Sequence, residues 1–117
     1  VKPKIVCICG SSRFCDIAAV HAWNFEKMGE IALSMHLLPQ WYWESTNKVG
    51  RDHGAEQEGV AHILDELHLL KIEMSDRVFV VNEGGYIGER TAIEIAYAQK
   101  LGKPISYSHS TVKEVAL

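Results

Sequence analysis

The stretch from Val78 to Leu101 constrains the fold more than any other. Val78-Phe79-Val80-Val81-Asn82 is a short apolar, largely β-branched run, the pattern of a parallel strand buried on both faces. A turn carrying Gly84, Gly85 and Gly88 follows. Beyond it a segment rich in Ala, Ile and Leu predicts a helix, stopped by Gly102 and followed by Pro104. Strand, glycine turn and helix in that order set backbone N–H groups and a positive helix end at the carboxyl edge of a sheet. α/β proteins hold phosphates and nucleotides at that edge.

Glu94 sits inside this helix, between Ile93 and Ile95, with Arg90 and Ala98 one turn away. Two readings stand. One is an Arg90–Glu94 surface ion pair at i,i+4 spacing. The other follows from the lack of a clean polar stripe on this helix, which leaves the carboxylate without an obvious solvated face.

Upstream, Ile5-Val6-Cys7-Ile8-Cys9 reads as the first buried strand, ended by Gly10-Ser11-Ser12-Arg13. Gly10 permits a tight turn or a close ligand, and two hydroxyls with a guanidinium suit phosphate or sugar oxygens. The plainer reading is a glycine turn with Ser12 as helix N-cap. A first helix is expected from about Cys15 to Met28, with Ile17, Val20, Ala22, Trp23 and Phe25 as its apolar positions. A second strand is expected within Glu30 to Leu38, with His36 near an edge and given no chemistry. Residues 40–54 read as a long irregular loop of the kind often used for binding. Its Trp41-Tyr42-Trp43 run has three open readings: stacking on a planar base, packing into a neighbouring subunit, or capping the core edge.

A second long helix is expected over Gly59 to Ser75. Ile63, Leu67, Leu70 and Met74 form its apolar stripe, while Asp65, Glu66, Lys71 and Glu73 mostly face water. Pro104 to Ser108 reads as a fourth strand, and 109–117 as a short final helix with capping-box spacing.

The alternation of strands and helices implies a parallel sheet with helices on both faces. The expected fold is α/β, a flavodoxin-like or Rossmann-like three-layer sandwich of about four to five strands in order 2-1-3-4, in one domain over 1–117. In that order the first and third strands are neighbours. The Gly10–Arg13 and Gly84–Gly88 loops then open on one cleft, toward which Glu94 can lean. Such a cleft suits a phosphorylated or hydroxyl-rich ligand, with the carboxylate as nucleophile or base at an anomeric carbon.

Composition removes other classes. A net charge of −3 across 117 residues offers no electrostatic footprint for a nucleic-acid polymer or an anionic membrane, and no apolar run approaches a membrane span. Cys7, Cys9 and Cys15 are an odd set without a disulfide framework and fit a reducing cytoplasm. Cys7 and Cys9 share a strand face, but no second Cys or His pair stands at zinc-site spacing, so buried structural thiols are expected and no metal or cofactor.

The segments ICGSSRF, LDELHLLKIEMSDRVFVV and GGYIGERTAIEIAYAQKLGKPI together resemble the nucleoside 2-deoxyribosyltransferase superfamily, whose members include 2′-deoxynucleoside 5′-phosphate N-hydrolases. The resemblance covers the first loop and most of residues 63–106, and does not extend to 39–58. It implies that Glu94 is the nucleophile, that Gly10, Ser11, Ser12 and Arg13 bind the glycosyl side, and that Gly84, Gly85, Tyr86, Gly88, Arg90 and Thr91 contact phosphate or sugar. Trp41 and Trp43 are expected to stack on the base. Family members carry an assisting aspartate about two turns before the third strand. Here that place is taken by His68, which can donate a proton or bind a hydroxyl.

The expected activity is cleavage or transfer at the N-glycosidic bond of a nucleoside or nucleoside 5′-monophosphate. The partner is that small molecule, and a homo-oligomer (dimer or higher) is expected, neighbouring subunits completing the pocket in the resembling family. Two alternatives remain. The CGSS opening and glycine turn also resemble the phosphoribohydrolases of the lysine-decarboxylase-like family. The same first loop occurs in flavin- or nucleotide-binding flavodoxin-like modules without catalysis.

Overall fold

The computed structural model describes residues 2–45 and 59–109, with only the backbone of 43–45. The elements are β1 (Ile5–Gly10), a 3-10 turn (Ser12–Phe14), α1 (Cys15–Lys27), β2 (Ile31–Leu33), α2 (Gln40–Ser45), α3 (Ala61–Met74), β3 (Arg77–Val81), a second 3-10 turn (Glu83–Gly85), α4 (Glu89–Lys100) and β4 (Ile105–Tyr107). The four strands form one sheet in the order β2-β1-β3-β4, and every pairing is parallel. This is the expected α/β flavodoxin-like arrangement.

Alternation along β1 explains why its sequence is apolar throughout. Val6 and Ile8 face α1 and pack with Ala18, Phe25, Met35 and Val81. Cys7 and Cys9 face the other way and pack with Ile72, Val78, Val80 and Ala98 from α3, β3 and α4. A strand with period two can be apolar on both sides only where both sides are covered. Ile8, Ile72, Val6, Val78 and Val80 are fully buried, and each such side chain contributes roughly 1.5–3 kcal/mol relative to exposure.

The opposite edge of the sheet is tied by charge. Asp76 accepts a 2.8 Å hydrogen bond from the Ile5 amide, and Arg77 grips both carboxylate oxygens of Glu30. The carboxyl edge is left to the loops.

Four expectations change. The second strand pairs only over Ile31–Leu33, not to Leu38. It is an edge strand, and the chain leaves it where Lys71 Nζ takes the Ser34 carbonyl at 2.7 Å and Met35 turns into the core. His36 is therefore outside any strand. Residues 40–45 form the helix α2 rather than a loop. On α3 the expected faces are reversed: Ile63, Leu67, Leu70 and Met74 are exposed, and the buried positions are His68 and Ile72. Residues 46–58 and the expected helix over 110–117 lie outside the described residues.

Candidate functional site

The register of the central strands builds the site. Gly10 pairs with Val81, so β1 and β3 end side by side. A Cβ on Gly10 would come within 3.0 Å of the Val81 carbonyl oxygen and 3.2 Å of its Cβ. Only glycine lets the two strand ends approach this closely.

From that point the chain leaves each strand into a short 3-10 turn. After β1, Ser11 and not Ser12 is the cap: its hydroxyl accepts from the Arg13 amide at 3.2 Å. After β3, Gly84 takes φ 63° and Gly85 φ 81°, the left-handed conformations that turn needs. The two loops touch. The Arg13 guanidinium lies 4.3 Å from the Tyr86 ring centroid, and Phe14 meets the same ring edge-on.

A cleft of about 330 Å³ opens at this junction. From the loops it is lined by Gly10, Ser11, Ser12, Arg13, Tyr86 and Gly88; from α3 by Leu64, Asp65, Leu67, His68 and Lys71; from α4 by Glu89, Arg90, Thr91 and Glu94; and by Met35 and His36 after β2. Ten of the fourteen positions picked from the sequence meet here. Gly84 and Gly85 shape the turn but do not line the cleft, and neither does Trp41, which is 65% exposed. The side chain of Trp43 lies outside the described residues.

Glu94 is placed by the inner face of α4. Thr91, Glu94 and Ala98, at i, i+3 and i+7, are the buried positions of that helix, so a carboxylate occupies a slot that packing would give to an apolar residue. It is 7% exposed. Its Oε1 lies 3.8 Å from His68 Nε2 and its Oε2 3.9 Å from Arg90 Nε. Burial raises the Glu94 pKa above the usual carboxylate range, and the charges of His68 and Arg90 oppose that rise. The surface ion-pair reading fails on this burial. Arg90 is shared with Asp65, whose Oδ1 lies 3.4 Å away and whose carbonyl accepts from Nη2 at 3.3 Å.

Behind Glu94 lies a cluster of soft groups. His68 Nε2 is 3.3 Å from Cys9 Sγ and 3.7 Å from Cys7 Sγ. Burial pulls the His68 pKa down, but its contact with Cys7 and the Glu94 charge outweigh this and leave it raised. The Cys7 thiol is drawn down to about 5, chiefly by its hydrogen bond with Cys9. Cys9 is pushed up by Cys7 and by burial, so the two thiols do not ionise together.

Asp65 and Lys71 were expected in water but stand on the cleft wall. Their signal was available: both lie three residues from His68 and so share its face of the helix. Met35 and His36 carried no such signal, because their positions depend on how the chain leaves β2. Among the described residues no helix is long and apolar enough to cross a membrane. Neither a family model nor a curated protein matches this chain.

Proposed function

We propose that this chain cleaves or transfers at the N-glycosidic bond of a nucleoside or nucleoside 5′-monophosphate, with Glu94 as nucleophile. The observation that carries this is the placement of one buried carboxylate on the wall of a cleft that both glycine loops border. A carboxylate kept from water is a stronger base and nucleophile once ionised, and the cations of His68 and Arg90 help to keep it ionised. Resemblance to the nucleoside 2-deoxyribosyltransferases supports the same role.

In this reading Glu94 attacks the anomeric carbon. The C1′–O bond to the enzyme forms as the C1′–N bond breaks, and the base leaves with the bonding pair and takes a proton from water. Water, or a second base, then displaces the carboxylate from C1′. His68 acts on the reaction through Glu94: its ring nitrogen faces the carboxylate, so its role is to hold charge beside the nucleophile. Ser11, Ser12 and Arg13 take the phosphate or sugar oxygens. Gly88, Arg90 and Thr91 border the sugar side. Among the described residues Tyr86, not Trp41, is the aromatic ring on the cleft wall.

The same reading includes self-association. Ile63, Leu67, Leu70 and Met74 form an exposed stripe with 4-3-4 spacing on α3, the pattern of a helix that packs against another helix. A second copy, related by two-fold symmetry, would cover this self-complementary face. Leu67 also lines the cleft, so that copy would border the site. The three free thiols suit the reducing cytoplasm, where we place the chain.

The test is release of free base, followed by chromatography, from 2′-deoxynucleosides, ribonucleosides and their 5′-monophosphates, with and without an acceptor base. Base release from a deoxy substrate supports the proposal, and exchange with the acceptor marks a transferase. Release from ribonucleoside monophosphates alone would favour the phosphoribohydrolase reading. No release from any of them would overturn it.

A further inference from the structure

We propose that Cys7, Cys9 and His68 form a binding site for a thiophilic divalent cation of the zinc class, with the Glu94 carboxylate at its fourth corner. The donors come from three elements that the fold fixes independently. Cys7 and Cys9 are two apart on β1, so both thiols project from one face of the sheet. His68 reaches them from the inner face of α3, and Glu94 from the inner face of α4. All four residues are buried.

The geometry suits one ion. The two sulfurs and one imidazole nitrogen all lie within 4.8 Å of one another. The nitrogen is 3.3 Å from Cys9 Sγ, 3.7 Å from Cys7 Sγ and 3.8 Å from Glu94 Oε1. Tetrahedral bonds of about 2.3 Å to sulfur and about 2.0–2.1 Å to nitrogen and oxygen require ligand edges of roughly 3.3–3.8 Å. His68 Nε2 therefore stands at coordination spacing from both sulfurs and from Glu94 Oε1. Glu94 lies outside the set of donors that are all within 4.8 Å of one another, so its side chain turns toward the sulfurs to close the shell. Two thiolates and an imidazole select zinc, cadmium or cobalt over magnesium or calcium, which prefer oxygen.

Binding is a proton-balanced exchange: the divalent ion enters, the protons held by the Cys–His cluster leave to solvent, and the ion is bound by two thiolates and by the neutral Nε2 of His68. Two thiolates and the carboxylate exceed the ion's charge by one, and Lys71 and Arg90, both on the cleft wall, offset the excess. With Glu94 as a ligand the coordination shell is closed, so the ion is not a source of activated water. Loading instead takes the carboxylate out of the cleft. That last consequence rests on the proposed N-glycosidic chemistry; the site itself does not.

The full-length protein, stripped with a chelator and kept reduced with a phosphine, is titrated with Co2+ alone. The expected result is a near-ultraviolet thiolate-to-cobalt band with visible bands of tetrahedral cobalt, saturating at one equivalent and displaced by Zn2+. Cys7→Ser and Cys9→Ser are expected to lose the charge-transfer band, and Cys15→Ser to keep it. Because the buried serines can fail to fold, X-ray absorption of the zinc-loaded wild type gives a second reading, with two sulfur scatterers at about 2.3 Å. A titration without a thiolate band, a band that survives in both β1 variants, or a zinc shell without sulfur would overturn the proposal.

Discussion

Arg90 Nε and Glu94 Oε2 stand 3.9 Å apart across a change of medium, the Arg90 side chain 39% exposed and the Glu94 side chain 9%. The pair is not a solvated one: the exposed partner supplies charge to the buried one. Burial lifts the Glu94 pKa, and Arg90 is among the charges that hold it down. A nucleophilic carboxylate must be ionised, so activity is present above its pKa and lost as pH falls through it. In the metal-free protein, Arg90→Gln is expected to move the acid limb of the base-release profile to higher pH. A profile measured on both proteins checks this; an unmoved or acid-shifted limb would count against it.

Gly10 holds the two strand ends together. Gly10→Ala puts a methyl group against the Val81 carbonyl and Cβ and near Met35 Cε. Overpacking at such a contact costs about 1–3 kcal/mol. A loss of that size is expected in urea unfolding, with the slope unchanged.

Arg13 reaches the cleft from the first loop and lies on the Tyr86 ring. If it takes the 5′-phosphate, its loss removes a charge-assisted contact worth about 1.5–3 kcal/mol. Arg13→Ala is then expected to raise KM for a nucleoside monophosphate about ten- to hundredfold, with a much smaller change for the unphosphorylated nucleoside. Equal effects on both would assign Arg13 a structural role.

The exposed α3 stripe makes a prediction about assembly. Leu67→Glu with Leu70→Glu, both exposed in one copy, is expected to leave the fold intact by circular dichroism and shift sedimentation to the monomer. A wild type already monomeric at high concentration would contradict self-association through this face.

Much of this was legible in the residues because burial on both faces leaves a plain mark. β1 and β3 are short apolar runs, Gly10 and Gly84 mark the turns at their ends, and parallel order brings those turns together. Glu94 stood out as a carboxylate on a helix without a polar face. What could not be read is where the site inverts ordinary patterning. On α3 the apolar stripe Ile63, Leu67, Leu70 and Met74 looks like core, yet the helix turns His68 inward to Cys9 and Glu94 and leaves the stripe outside. The Cys–His cluster was hidden for a related reason. Its thiols are local in sequence, but the imidazole comes from a helix whose apolar stripe faces outward, so the stripe does not mark the buried face. Trp41 shows the limit of composition: aromaticity suggests stacking, but in this structure Trp41 is on α2 and does not line the cleft.

Glu94→Gln tests the central claim most directly, since it keeps the shape of the side chain and removes its negative charge. Single-turnover base release is measured on wild type and variant, with a matched thermal melt to establish folding. The account expects a folded variant whose release falls at least about a thousandfold. A folded variant with undiminished release would contradict it.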